Sequence, residues 1–395
     1  MQRRTFLGLA AAASAWGQRR WLPYDLVIRN GELRDPSQGL RRRADVGIAG
    51  DKIAAIEDHI DPAQAIETID AKGLMVVPGL IDLHTHCFHS ATRLGVEADP
   101  IAARSGVTTW VDAGSFSWDQ AAGFRRFIVQ PAQARIYGFV YLYPNDRNPD
   151  EDVIKYVRGG IEPTGKTVEK NRDILLGVKF QVGTNMNGRY SFEMLKAARE
   201  LCDRFQLPLM AHISFAPPST AEVMALMKKG DVVTHCYNAH TLGILDAAGK
   251  VKPEVREARE RGVWFDVGHG LGSFNFAAAK KALDGGFVCD SISTDIYNLN
   301  VNGPVYDMPT TMSKLLYLGM SVDDVILRTT ANPAKAVNRV EGMGQIKVGG
   351  PADLAVLELE EGQFRLIDSQ RNAVSATKRF VSRATIVRGR RMRVV

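Results

Sequence analysis

Hydrophobic and polar positions follow two different periods along this chain, and the change of period divides it. In "YDLVIRNGELRD" and "RADVGIAGDKIAAIED", Val27, Asp45, Val46, Ile48, Ile53 and Ile56 fit an extended pattern, broken at Asn30-Gly31 and Gly50-Asp51. "AIETIDAKGLMVVPG" continues in this style, and "GQIKVGGPADLAVLELE" and "RATIVRGRRMRVV" return to it at the other end. Between these β-rich ends, strand-length apolar runs alternate with stretches of helical period. Strands are predicted over 79–86, 106–113, 135–143, 174–182, 207–214, 231–237, 262–268 and 289–295. "SFEMLKAARELCDRF", "STAEVMALMKKG" and "KPEVREARERG" are predicted helices. Such alternation gives βαβ units and a parallel sheet, so the fold class is α/β. Eight strands suit a (β/α)8 TIM-type barrel. An open doubly wound sheet is the alternative, but no GxGxxG follows the first strand.

Composition narrows the picture. The 395 residues are 45% hydrophobic and 24% charged, enough for a large core. The net charge of +6 arises partly from Arg19-Arg20, Arg41 to Arg43 and "RGRRMR" at 388–393. Basic residues do not interleave with aromatics, and no finger or helix-turn-helix pattern occurs, which argues against a nucleic-acid partner. The four cysteines form no CxxC pair and read as buried thiols. "MQRRTFLGLAAAASAWGQ" pairs a twin arginine with a short apolar run ending in Ala13-Ser14-Ala15. Residues 1–15 resemble a twin-arginine export signal, so the mature chain is expected to begin near Trp16 and to work in the periplasm. Without that signal the location would be cytoplasmic. The run is too short to span a bilayer, and no stable membrane insertion is expected.

The histidines carry the chemistry. Of eight, only His59 falls in the N-terminal β-rich part. His84 and His86 end strand 1, His212 ends strand 5, His235 ends strand 6 and His269 follows strand 7; His89 and His240 lie in the loops after strands 1 and 6. The C-terminal rim of a β/α barrel is where reactions take place. Residues 84 and 86 share one strand face, while Thr85 points away. One strand-end histidine is ordinarily a hydrogen-bonded core residue, but four on one rim point to a metal. Asp295 ends strand 8 and supplies a carboxylate. Asp290 starts that strand and belongs at the opposite end of the barrel. Asp112 and Asp266 are weaker candidates, Asp266 as a residue orienting His269 or a neighbour. Lys179 interrupts the apolar strand "ILLGVKFQVG". A buried lysine is costly unless paired or neutralised. It is either ion-paired to an aspartate or carboxylated by carbon dioxide, in which case its carbamate can bridge two metal ions.

With "GLIDLHTH", Lys179, His212, His235 and Asp295 falling in order on strands 1, 4, 5, 6 and 8, the chain resembles the amidohydrolase superfamily. "NRDILLGVKFQ", "HCYNAH", "FDVGHGLGSFNF" and "DSISTDIYN" are most similar to its dihydroorotase-like deacetylases. The resemblance implies a barrel over 78–339 and a small β-sandwich domain built from 22–77 and 340–395, with "NPAKAVN" leading back into it. It implies a binuclear centre of two divalent metal ions, zinc by default with manganese and iron as alternatives. His84, His86 and Asp295 would hold one ion, and His212 and His235 the other. Carboxylated Lys179 and a hydroxide would bridge them, with Asp295 as the catalytic proton carrier. The implied reaction is removal of an acyl group, through a C–N or C–O bond, from a small-molecule acid. Asn238, His269 and Arg189 are candidate substrate contacts, with plain loop structure as the alternative for each. The subgroup often carries an arginine where this chain has Gln181. A cyclic amidase of dihydroorotase or hydantoinase type, a phosphotriesterase-like esterase and a non-catalytic binding barrel are the competing readings. Barrels of this kind often associate, which leaves a homo-oligomer open.

Overall fold

The computed structural model describes residues 22–142 and 152–393, so the signal-like segment 1–15 and Arg19-Arg20 lie outside the described residues. Seven parallel strands pair in chain order: Leu80–Thr85, Val107–Ala113, Arg135–Tyr141, Leu175–Val182, Leu209–Ile213, Val232–Thr234 and Trp264–Asp266. They coincide with the first seven predicted strands and build a TIM-type barrel. The eighth, expected over 289–295, is not a regular strand. It makes single parallel bridges, Ser291 to Asp266 on one side and Ile296 to Thr85 on the other. Its backbone still closes the barrel. Val267, His269 and Gly270 donate amides to the carbonyls of Ser291, Ser293 and Thr294 at 3.1, 3.2 and 2.9 Å. Asp295 N donates to His84 O at 2.6 Å, and His86 N to Ile296 O at 3.0 Å.

The irregularity has a chemical cause. Hydroxyl side chains in this segment compete with ladder bonding. Thr294 gives its amide and hydroxyl to the buried Asp82 carboxylate at 3.0 and 2.5 Å. Ser291 and Ser293 each give a hydroxyl to Asp266 at 2.6 Å. Asp295 sits at φ +48, in the left-handed region. Such strain in a non-glycine residue persists only where surrounding bonds over-determine it.

The predicted helices form where their apolar stripes fall. Ser191–Phe205 buries Met194, Leu195, Ala197, Ala198, Leu201 and Cys202 against the barrel wall. Thr220–Leu226 starts at a capping box, Ser219 with Glu222. Pro253–Glu260 opens with proline at its first turn. The four cysteines are free and buried. Among the described residues no helix is long and apolar enough to cross a membrane.

Both chain ends build one branched eight-stranded sheet. Its path runs Arg390–Arg391, Ala373–Val387, Leu354–Ile367, Met75–Pro78, Tyr24–Asp35, Leu40–Ala49 and Lys52–Glu57, and Ala65–Asp70 branches from Tyr24–Asp35. Leu26, Ile28, Val46, Ile48, Val76, Leu354 and Ile386 meet in a single apolar core, so the sheet folds over itself. Gly50-Asp51 forms the expected turn. Asn30-Gly31 does not break its strand: it forms a bulge inside Tyr24–Asp35, with Asn30 at φ +62 and its amide on Asp45 Oδ1 at 2.7 Å. The C-terminal hairpin lies along the barrel. Thr385 donates to Ala102 O at 2.7 Å, and Phe380 N to Ser313 Oγ at 2.9 Å.

Candidate metal-dependent active site

The six predicted metal ligands meet at the C-terminal end of the barrel. His84 Nε2 and His86 Nε2 lie 3.3 and 3.2 Å from Asp295 Oδ1. Lys179 Nζ lies 3.0 Å from His84 Nε2, and His235 Nε2 lies 2.8 Å from His212 Nδ1. Ligand atoms of His84, His235 and Asp295 fall within 4.8 Å of one another. Burial pushes the imidazoles of His84 and His212 well below their ordinary range and His235 down to about 4, leaving them neutral, the form that binds metal. Asp295 Oδ1 is buried yet accepts no hydrogen bond. An orphan carboxylate oxygen facing imidazole nitrogens is costly in an empty protein and fits a divalent cation.

Surrounding groups set each ring. Thr234 Oγ1 gives its proton to Asp266 Oδ2 at 2.8 Å, so His84 Nδ1, 2.8 Å from the same oxygen, must be the donor. His84 Nε2 then presents a lone pair to the site. His235 Nδ1 donates to Gly268 O at 2.6 Å with the same result. His86 Nδ1 bonds Ser115 Oγ at 2.8 Å, and Asp112 holds Ser115 N at 2.7 Å and Cys87 N at 2.8 Å. Asp266 and Asp112 therefore hold groups that position His84 and His86. Asp266 serves His84 through Thr234, where the sequence suggested His269 or a neighbour. Outer partners of this kind are worth about 10–100-fold in metal affinity. Thr234→Val is expected to weaken metal retention by about that factor while leaving the fold intact, as read by chelator competition. Retention equal to the parent's would show that the His84 tautomer does not depend on Thr234.

Lys179 is 1% exposed. Among the described residues no carboxylate lies within ion-pair distance of its Nζ, which donates to Ala113 O at 3.2 Å. Burial pushes its amine down to about 8, against the pull of Asp295 and other carboxylates. Gly114, at φ +86, gives it room: a Cβ there would lie 2.8 Å from Lys179 Cβ and Cγ. Gly270 does the same for the carboxylate, since its Cβ would lie 2.4 Å from Asp295 Oδ2.

The three candidate substrate contacts are placed differently. Asn238 is buried and ties loops together, donating to Ile213 O and His235 O at 3.0 and 2.9 Å and accepting from His240 N at 2.9 Å. His269 is fully buried, stacked on Phe274, with Nε2 2.8 Å from Lys314 Nζ. Arg189 is exposed and donates to the Tyr190 hydroxyl at 2.6 Å. His240 reaches Gly272 O at 2.9 Å, linking the loops after strands 6 and 7. Sequence reasoning missed Thr234, Ser115, Asp82 and the two glycines. Their signal was adjacency: "LIDLH" and "VVTH" run into the predicted ligands His84 and His235, while "DAGS" begins at Asp112 and "VGHG" surrounds His269.

The chain is similar to known proteins over most of its length. A curated protein named deacetylase from Enterococcus faecalis is 35% identical over 88% of this chain and 93% of its own length. A deacetylase of Agrobacterium fabrum is 32% identical over 87% of this chain and 85% of its own. A crystal structure of an adenine deaminase matches with a TM-score of 0.85 at 34% identity, covering 93% of this chain and 99% of that one. A dihydroorotase crystal structure matches with a TM-score of 0.83 at 28% identity, covering 93% and 97%. The amidohydrolase family profile matches residues 75–392, the barrel together with most of the β-rich C-terminus. The chain is a hydrolase and belongs to the amidohydrolase family.

Proposed function

We propose that this chain removes an acyl group from a small acylated acid by hydrolysing its C–N or C–O bond. Two divalent metal ions, zinc by the donor set, would be held by His84, His86, His212, His235, Asp295 and a carboxylated Lys179. The observation that carries this reading is a buried Asp295 oxygen without a hydrogen bond, set among imidazoles beside a lysine that has, among the described residues, no carboxylate within ion-pair distance. The near full-length relatives named deacetylase support the acyl group. Bound there, such ions acidify a water molecule and polarise a carbonyl.

The chain's own residues do the rest. Neutral Lys179, its ammonium proton already given up to water, would add its nitrogen lone pair to the carbon of carbon dioxide and release one N–H proton to water, turning a neutral amine into an anionic ligand. Asp295 would accept the proton of the attacking water and deliver it to the leaving nitrogen or oxygen. Thr234 and Gly268 keep the lone pairs of His84 and His235 aimed inward, and Ser115 holds the His86 ring. A second reading, opening of a cyclic amide, is favoured by likeness to the dihydroorotase structure.

One screen with metal-loaded protein separates these readings. It holds N-acetyl amino acids of both hands, O-acetyl hydroxy acids, dihydroorotate, hydantoins and adenine. Acetate release is expected. Ring opening without acetate would transfer the protein to the cyclic amidases, and ammonia from adenine would make it a deaminase. Silence in every arm with metal bound would reject acyl hydrolysis of small acids.

A further inference from the structure

The small domain reaches the catalytic rim. The tip of its C-terminal hairpin, Asp368–Asn372, packs on the loop that follows the seventh barrel strand. Ser369 N donates to Phe274 O, and Ser369 Oγ accepts from Phe274 N, both at 3.0 Å. The same hydroxyl lies 3.1 Å from the carbonyl oxygens of His269 and of Gly270 and shares its proton between them. Asp368 is fully buried. Its Oδ2 accepts from Phe276 N at 3.2 Å, at the start of the helix Phe276–Asp284, while Oδ1 accepts from Gln370 N and Asn372 N at 2.9 Å. One carboxylate thus fixes the hairpin turn and the end of the rim loop together.

The segment so held is the one that bears on Asp295. From the barrel side, Lys314 Nζ donates to His269 Nε2 at 2.8 Å and to Pro304 O at 2.7 Å. His269 N and Gly270 N are tied to Ser293 O and Thr294 O, immediately before Asp295. Gly270 leaves no room for a methyl group against Asp295 Oδ2. Its backbone is a wall for the carboxylate, and Ser369 fixes the carbonyl of that same residue. A shift of the loop would release Asp295 from its place beside His84 and His86.

We infer that Ser369 and Asp368 are positioning residues for Asp295, so that the small domain takes part in setting the catalytic geometry. The inference rests on the reading of Asp295 as the proton carrier. Displacements of about 1 Å can cost about a hundredfold in rate. Ser369→Ala is expected to lower kcat about ten- to a hundredfold on the acyl substrate found in the screen, with KM and metal content close to the parent's. Amides of 268–276 should exchange hydrogen faster, and Ser369→Thr, which keeps the hydroxyl, should recover both readouts. The control is Asp353→Asn, which cuts a polar tie between the domains at the other end of the barrel, where Asp353 Oδ2 meets Arg135 Nε at 2.6 Å. It should lower Tm and leave kcat alone. A kcat for Ser369→Ala equal to the parent's, or an equal loss in Asp353→Asn, overturns the inference. If Ser369→Ala does not fold, exchange in the parent decides: amides at 269, 270 and 274 no better protected than those of Phe215 and Ala216 in the loop after the fifth strand would overturn it. Because exchange needs no substrate, failure of the clamp and failure of the acyl-hydrolase reading are separately visible.

Discussion

Asp295→Asn is expected to fold like the parent, to keep most of its metal and to turn over the acyl substrate about 10²–10⁴-fold more slowly. The substitution preserves shape and removes the basic oxygen. Asparagine tolerates the left-handed backbone at this position as well as aspartate does. The main-chain ties, Asp295 N to His84 O and Asn300 Nδ2 to Asp295 O at 2.8 Å, do not involve the side chain and survive. On the proposed reading four imidazoles and Lys179 would remain to hold metal, and the amide oxygen could still face a cation. What is lost is the ability to accept a proton and pass it on. The decisive comparison is therefore kcat against bound metal per chain, with Tm as the check on folding. Full turnover would reject Asp295 as the proton carrier. Loss of metal in step with turnover would assign it a ligand's role alone.

The candidate ligands were legible because each is a polar residue that ends or interrupts an apolar run. His84, His212 and His235 stand out against "LIDL", "LPLMA" and "DVVT", and Lys179 against "ILLGV". The helix Ser191–Phe205 was equally plain, since its period of apolar positions is local. The eighth strand was less so. Its Ser and Thr side chains look like ordinary strand residues, but they are claimed by Asp82 and Asp266, which lie far off in sequence. The roles of Asp112 and Asp266 were hidden for the same reason. Thr234 and His84 are 150 residues apart, and no local pattern announces a bond across that distance. The contact between Ser369 and the His269–Gly270 carbonyls is of this kind too, and only the closed fold brings it into view.

Lys179→Ala should lose metal and activity together, and acetate or propionate should restore part of both. On the proposed reading the Lys179 carbamate bridges the site, so its loss should reduce metal retention beyond the about 10–100-fold expected for an outer partner. General unfolding is not the expected cause. The amine is buried with no ion pair among the described residues, so its removal relieves a desolvation penalty that offsets lost packing. The truncation also leaves a space beside His84 and Gly114, where a small carboxylate can enter and take the place of the carbamate. Lys179→Met refines the test, because its side chain fills that space with no ligand oxygen. It should lose metal as Ala does and resist rescue. Rescue of Ala but not Met would tie the effect to a carboxylate at the lysine's position. Unchanged metal content in Lys179→Ala would make Lys179 a core lysine hydrogen-bonded to Ala113 and His84, and the site would then rest on imidazoles and Asp295 alone.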